Sequence, residues 1–317
     1  MARALTFPGQ GSQAVGMGRE LSIGFAAARD VFQETDEALK QNLSRLMFEG
    51  PEDELRLTEN AQPALMAASL AAFRTIEREG GVKLAQIASF VAGHSLGEYS
   101  ALAAAGSFTL ADAARLLKTR GRAMQKAVPV GEGAMAALLG ADLEKAEAIA
   151  AAARRNEAGT DEICVVANDN APGQAVVSGQ RSAVERAAKL APGYGAKSMM
   201  LPVSAPFHCP MMKPAADAMA DALAKVAIEA PAVPLIANVS AEPVEDPLVI
   251  RKLLVEQVTA RVRWRECVLA MKERDVDNLV EIGSGKVLTG LAKRISREMN
   301  AVSIQTPADI EAFLKSL

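Results

Sequence analysis

Ile87-Ala-Ser-Phe-Val-Ala-Gly93-His94-Ser95-Leu96-Gly97-Glu98-Tyr-Ser-Ala-Leu-Ala-Ala-Ala105 is the stretch on which the reading of the fold turns. Ile87 to Ala92 reads as a short buried strand, and Glu98 to Ala105 reads as a helix. The five residues between them form a G-x-S-x-G. Glycines at that spacing permit a strained strand-to-helix turn that projects the Ser95 hydroxyl and puts a helix N-terminus behind it. A backbone N–H, that of Leu96, is expected there where an oxyanion can form. The plainer alternative is a tight turn whose serine only caps the helix.

Working outward, the same alternation recurs. Arg3 to Phe7, Pro234 to Val239 and Asn278 to Ile282 are strand-like runs bounded by Gly, Pro or Asn and followed by helical patterns, which predicts an α/β protein with a mostly parallel sheet. The rhythm changes between Gly131 and Leu201. Met135 to Leu139 is a predicted strand, and a helix follows from Asp142 to Arg155. Ile163 to Ala167 and Gln174 to Ser178 are strands joined across Asn168-Asp-Asn-Ala-Pro-Gly173, and Ser182 to Leu190 is a helix before a strand at Lys197 to Leu201. That β-α-β-β-α-β order is the ferredoxin-like unit. Residues 131–201 are therefore expected to form a small domain inserted into a larger one made of residues 1–130 and 202–317. The crevice between them is a natural place for a ligand.

Composition removes other classes. The chain has 317 residues, is 50% hydrophobic and 23% charged, and carries a net charge of −3, so no uniform basic field suits it to nucleic acid. No apolar run reaches the roughly 18 residues that span a bilayer, and the first residues lack the apolar stretch of a signal peptide; a cytoplasmic protein with no membrane partner is expected. Cys164, Cys209 and Cys267 are odd in number and widely spaced, which supports neither a disulfide framework nor a zinc site. With only two histidines, His94 and His208, a His-rich metal centre is excluded.

A serine nucleophile needs a base. His94 adjoins Ser95 in a sharp turn, where neighbouring side chains diverge, so the base is expected to be His208, on the proline-stiffened loop Ser204-Ala-Pro-Phe-His-Cys-Pro210; prolines at 202, 206, 210 and 214 argue against a helix before Pro214. No carboxylate is marked as a third member, and a carbonyl could orient the ring instead. Between Thr109 and Met124, the residues Leu110, Ala113, Leu117 and Met124 form an apolar stripe with Arg120 in its missing position. An inward guanidinium requires an anion, either a protein carboxylate or a substrate carboxylate gripped by both arms. The glycine-rich Phe7-Pro-Gly-Gln-Gly-Ser-Gln13 superficially matches a dinucleotide fingerprint, but Pro8 interrupts the turn and no second strand ending in an acid follows. It could instead bring a second N–H toward Ser95.

These pieces coincide in one family. Phe7 to Gln13, Gly93-His-Ser-Leu-Gly-Glu-Tyr-Ser-Ala-Leu102, the Arg120 helix, Ala205-Pro-Phe-His208 and Glu281-Ile-Gly-Ser-Gly-Lys-Val-Leu-Thr289 together resemble the malonyl-CoA:acyl carrier protein transacylases, in order and over nearly the whole chain. The resemblance implies an α/β-hydrolase-like large domain with a ferredoxin-like insert. It implies an acyltransferase that passes a malonyl group from malonyl-CoA to the phosphopantetheine thiol of acyl carrier protein through a malonyl-serine, for fatty acid synthesis, with no cofactor and no metal. Ser95 would be the nucleophile and His208 the base, with the backbone amides of Gln10 and Leu96 as the oxyanion hole. Arg120 would pair with the malonyl carboxylate, and Phe207 would exclude a 2-methyl branch. Gln257, in Leu254-Val-Glu-Gln-Val258, would supply the carbonyl that orients His208, and His94 would support the turn. The family commonly has proline where this chain has Ser284. Lys118, Arg122, Lys126, Lys286 and Arg294 are candidate basic residues for steering an acidic carrier. The competing readings are a hydrolase on the same serine, a nucleotide-binding oxidoreductase and a non-catalytic carrier-binding module.

Overall fold

The computed structural model describes residues 2–203 and 205–317. Ten strands are present among them: β1 (Ala2–Phe7), β2 (Phe90–Gly93), β3 (Gly133–Leu139), β4 (Cys164–Ala171), β5 (Gln174–Gln180), β6 (Lys197–Met200), β7 (Leu235–Ile236), β8 (Pro243–Val244), β9 (Val276–Ile282) and β10 (Asn300–Ile304). Six form one sheet in the order β10-β9-β1-β2-β7-β8, parallel throughout except for the β7–β8 pair. This is a mixed α/β fold with a mostly parallel main sheet.

Side-chain alternation explains why that sheet is covered on both faces. Leu5, Phe7, Val91, Val280 and Ile282 enter one core with the long helix Thr58–Gly80, buried from Asn60 to Phe73. Ala4, Ala92, Ile236 and Leu279 enter a second core around Trp264, Met271 and Leu288. Strands apolar on both faces are what helix-covered parallel sheets require. Among the described residues no helix is long and apolar enough to cross a membrane.

The other four strands form an antiparallel sheet in the order β4-β5-β3-β6. One face, with Ala136, Leu138, Val166 and Val177, packs on the helices Leu143–Arg154 and Arg181–Leu190. The other turns Met135, Val176 and Asn168 toward the main body, where they line a cavity.

Several expected boundaries move, each for a local reason. The strand predicted from Ile87 begins only at Phe90, because Leu84–Ile87 forms a helical turn that buries Leu84 and Ile87 and is closed by a 2.6 Å bond from Lys83 N–H to Gln86. The predicted 168–173 connection shortens to Pro172 and Gly173: β4 continues to Ala171, with Asp169 N–H bonded to Val262 O and its carboxylate paired to Arg265. The strand predicted over Pro234 to Val239 is only Leu235–Ile236, and Asn238 is turned to other work described below. The helix expected to wait until after Pro214 begins at Lys213, with Pro214 in its first turn, where no N–H is needed. Where a second strand would have to follow, the chain is helical, broken at the extended Phe25 into Arg19–Gly24 and Ala26–Leu39. The Arg120 helix runs Leu110–Lys126, with the Thr109 hydroxyl accepting from Asp112 N–H at 3.0 Å.

Candidate active site

The G-x-S-x-G turn sits between the end of β2 and the helix Gly97–Ala104. Its glycines are required by close approach. A Cβ on Gly93 would lie 1.9 Å from the Gly97 carbonyl carbon, and one on Gly97 would lie 2.2 Å from Phe7 O. Ser95 has a φ of 54°, a left-handed conformation that a serine adopts only when its surroundings enforce it. Asn238 and Gln257 enforce it from both sides. Asn238 Oδ1 accepts from Ser95 N–H at 2.8 Å while its Nδ2 donates to Gly93 O at 2.7 Å, and Gln257 Nε2 donates to Ser95 O at 2.9 Å.

His208 meets Ser95 from the proline-rich loop, also with a positive φ, 57°. Its Nε2 is 2.7 Å from Ser95 Oγ, and its Nδ1 is 2.9 Å from the backbone carbonyl of Gln257. A carbonyl only accepts, so Nδ1 carries the proton and Nε2 offers a lone pair to the serine hydroxyl. Burial, reinforced by the nearby Arg120 charge, pushes the imidazole down to about 3, which keeps it neutral and able to accept a proton. His94 lies elsewhere: its Nε2 is 2.9 Å from Asn170 Oδ1 and its ring tilts against Trp264 at 5.7 Å.

Arg120 is 1% exposed. Its NH1 donates to Gln62 Oε1 at 2.9 Å, and its NH2 donates to Gln257 Oε1 at 2.8 Å and to Ser95 Oγ at 3.2 Å. Among the described residues it forms no ion pair, and its Nε has no partner. Of the two anions open to it from sequence, a protein carboxylate in direct contact is therefore not the answer found. Burial works against its charge, with Tyr99 and Glu98 as the opposing influences.

These groups border a cavity of about 390 Å³ whose lining includes Gln10, Ser95, Arg120, Asn170, Phe207 and His208. Among the described residues, the backbone N–H groups of Gln10 and Leu96 donate to no acceptor in the chain. The loop carrying Gln10 passes close to the turn, since a Cβ on Gly9 would lie 2.7 Å from His94 O. The next helix starts only at Arg19, so no helix N-terminus stands behind this loop as a dinucleotide site requires. Ser284 donates to Ser12 O at 2.7 Å and ties its own turn to the same loop.

Sequence reasoning missed Glu98, Asn238, Gln62 and Asn170. Glu98 is buried beneath the turn, where its Oε1 accepts from Asn238 N–H and its Oε2 from Gln257 Nε2. Burial pushes its carboxyl above the ordinary carboxylate range, while the two N–H donors it accepts, one on each oxygen, and the Arg120 charge favour the ionised form. The available signal was polarity out of place: Asn238 ends an apolar run, and Glu98 is the one charged residue of its helix. Lys118, a candidate for steering a partner, is instead 9% exposed and held by Gln41, Asn60 and Glu59, as the apolar surface around its stem favours. None of the five basic candidates borders the cavity; Arg56 does.

Fold and site together define a class: α/β enzymes of acyl transfer, with a serine on a strand-to-helix elbow and an imidazole against its hydroxyl. The acyl transferase domain family matches residues 5–307. The chain is 43% identical over 315 residues to the malonyl CoA-acyl carrier protein transacylase of Bacillus subtilis (strain 168), covering 99% of this chain and 96% of that one. Among solved structures, the acyl-carrier-protein-S-malonyltransferase of Bartonella henselae superposes with a TM-score of 0.96 at 55% identity, covering 100% and 99% of the two chains. A malonyl-transacylase solved with a type II PKS acyl-carrier protein superposes at 0.94, with 40% identity and 100% of both chains covered. The chain belongs to the malonyl CoA-acyl carrier protein transacylase family.

Proposed function

We propose that this acyltransferase carries a malonyl group from malonyl-CoA to the phosphopantetheine thiol of acyl carrier protein by a ping-pong route through malonyl-Ser95. His208 Nε2 takes the hydroxyl proton as Ser95 Oγ attacks the thioester carbonyl carbon. The Gln10 and Leu96 N–H groups receive the oxyanion. Collapse breaks the C–S bond, the coenzyme A sulfur leaves with the proton from His208, and the acyl-serine remains. The carrier's thiol then gives its proton to His208, attacks the ester carbonyl, and Ser95 departs reprotonated. Gln257 O holds the imidazole and meets the positive charge that develops on it. The acyl group rides on serine, so the cycle needs no metal and no cofactor.

The observation that carries this reading is Arg120: a buried guanidinium 3.2 Å from Ser95 Oγ, held by amide oxygens and without an ion-pair partner among the described residues. A malonyl carboxylate would supply that partner at the reacting serine. Phe207 is buried beside His208 on the cavity wall, which supports assigning it the part of meeting a branch at the α-carbon. We read the antiparallel sheet with its two helices, β-α-β-β-α-β in chain order, as a ferredoxin-like insert spanning residues 131–201 of an α/β-hydrolase-like domain. It roofs the cavity. Three buried free cysteines suit a reducing cytoplasm.

The test is thiol release from malonyl-CoA. Without acceptor, one equivalent of coenzyme A per chain should appear and then stop; with holo acyl carrier protein, release should continue until the carrier is charged. Sustained release without acceptor would make the chain a hydrolase instead.

A further inference from the structure

Beneath the Ser95 turn lies a polar cluster that the steps above do not use. Glu98 accepts the Asn238 backbone N–H through one oxygen and Gln257 Nε2 through the other. Gln257, 0% exposed, spends its second Nε2 hydrogen on Ser95 O at 2.9 Å and turns Oε1 to Arg120 NH2 at 2.8 Å. The two ends of an amide have nearly the same shape, so packing alone does not choose between its two flipped orientations; hydrogen-bond partners do. With Gln257 flipped, NH2 would meet guanidinium and oxygen would meet carboxylate, donor against donor and acceptor against acceptor.

We propose that Glu98 is a positioning residue for acyl-group choice: it fixes the Gln257 amide so that Oε1 keeps Arg120 aimed beside Ser95, and thereby sets the preference for a carboxylated acyl group. The proposal rests on the malonyl reading of Arg120. Glu98→Gln is the informative change, because it leaves one acceptor where two N–H donors need one each. The backbone donor of Asn238 is fixed, so Gln257 must swing or flip and Arg120 loses its aim.

Initial rates of Ser95 acylation by malonyl-CoA and acetyl-CoA, and inactivation by phenylmethanesulfonyl fluoride, which needs Ser95 and His208 but no carboxylate grip, should be compared in wild type and Glu98→Gln. The malonyl-to-acetyl ratio should fall about 10- to 100-fold, the worth of one buried hydrogen bond to a charged group, while acetylation and sulfonyl fluoride inactivation slow together by a smaller factor, because the Ser95 turn loses its Gln257 bond in all three reactions. Glu98→Asp, which keeps the charge but shortens the reach, should move the ratio in the same direction by less. Equal loss with all three reagents, an unchanged ratio, or failure of both variants to fold would overturn the proposal and leave Glu98 a folding residue. Wild-type acylation by neither acyl-CoA, with the sulfonyl fluoride still reacting, would instead sink the malonyl reading.

Discussion

Replacing Arg120 with Gln should convert a malonyl-selective site into an indifferent one. The guanidinium is buried, and its hydrogen bonds within the chain go to two amide oxygens and the Ser95 hydroxyl. A bound carboxylate would replace the 3.2 Å contact to Ser95 Oγ with charge-assisted bonds, each worth roughly 1.5–3 kcal/mol. Two such bonds, less the one of the same kind given up, leave a net of about 1.5–3 kcal/mol, or roughly 10- to 100-fold in kcat/KM. Acetyl transfer makes no such contact and should change by less than about tenfold. Folding should survive, because stranding an amide oxygen costs about 1–3 kcal/mol while the desolvation of a guanidinium is relieved. Arg120→Lys, with charge but no fork, should fall between. The assay is kcat/KM for malonyl-CoA and acetyl-CoA with one carrier protein, with thermal unfolding as the control on folding. Equal losses for both acyl groups in a folded variant would refute the reasoning, since Arg120 would then serve Ser95 and not the substrate.

Further outcomes follow from the same geometry. His208 has its folded pKa lowered to about 3 against about 6.5 unfolded, so the unfolded chain binds the extra proton first and stability is lost as pH falls below 6.5. Glu98, shifted upward by burial, gains stability over the same range in both chains, so the readout is a difference: wild type should lose about 2 kcal/mol more than His208→Gln between pH 7.5 and 5 in urea unfolding; an identical slope in the variant would contradict the burial argument. Phe207→Ala should lower the preference for malonyl-CoA over methylmalonyl-CoA by about 10-fold or more, the scale on which an apolar pocket rejects a methyl group; competition between the two substrates measures it. Gly97→Ala would place a Cβ 2.2 Å from Phe7 O and should cost about 3 kcal/mol in a urea titration, and a neutral result would mean the elbow is looser than described.

The reading from sequence succeeded where chemistry and local pattern coincide. Gly93 and Gly97 signalled the elbow because no other residue fits where they stand, and His208, the preferred of the two histidines, does lie against Ser95 at 2.7 Å. The inward phase of Arg120 was legible from the apolar stripe, but its partners were not, because Gln62 and Gln257 lie 58 and 137 residues away and an amide in an apolar context carries no charge signal. Glu98 was hidden for a different reason. An acid in the first turn of a helix ordinarily serves the helix dipole, and only tertiary packing turns it under the serine. Boundaries failed where polar groups left their local role, as at Asn168 to Ala171, which extend β4 along β5 and reach Val262 and Arg265 when their composition reads as a turn.

The central claim is that Ser95 carries the acyl group. Intact mass should be recorded after brief incubation with malonyl-CoA, for the native chain and for Ser95→Ala, with peptide mapping of any adduct and then addition of holo acyl carrier protein. The account predicts one malonyl-sized increase on the native chain, mapped to Ser95, absent in the variant, and cleared as the carrier gains the same mass. An adduct on another residue, or transfer to the carrier at an undiminished rate by Ser95→Ala, would contradict it.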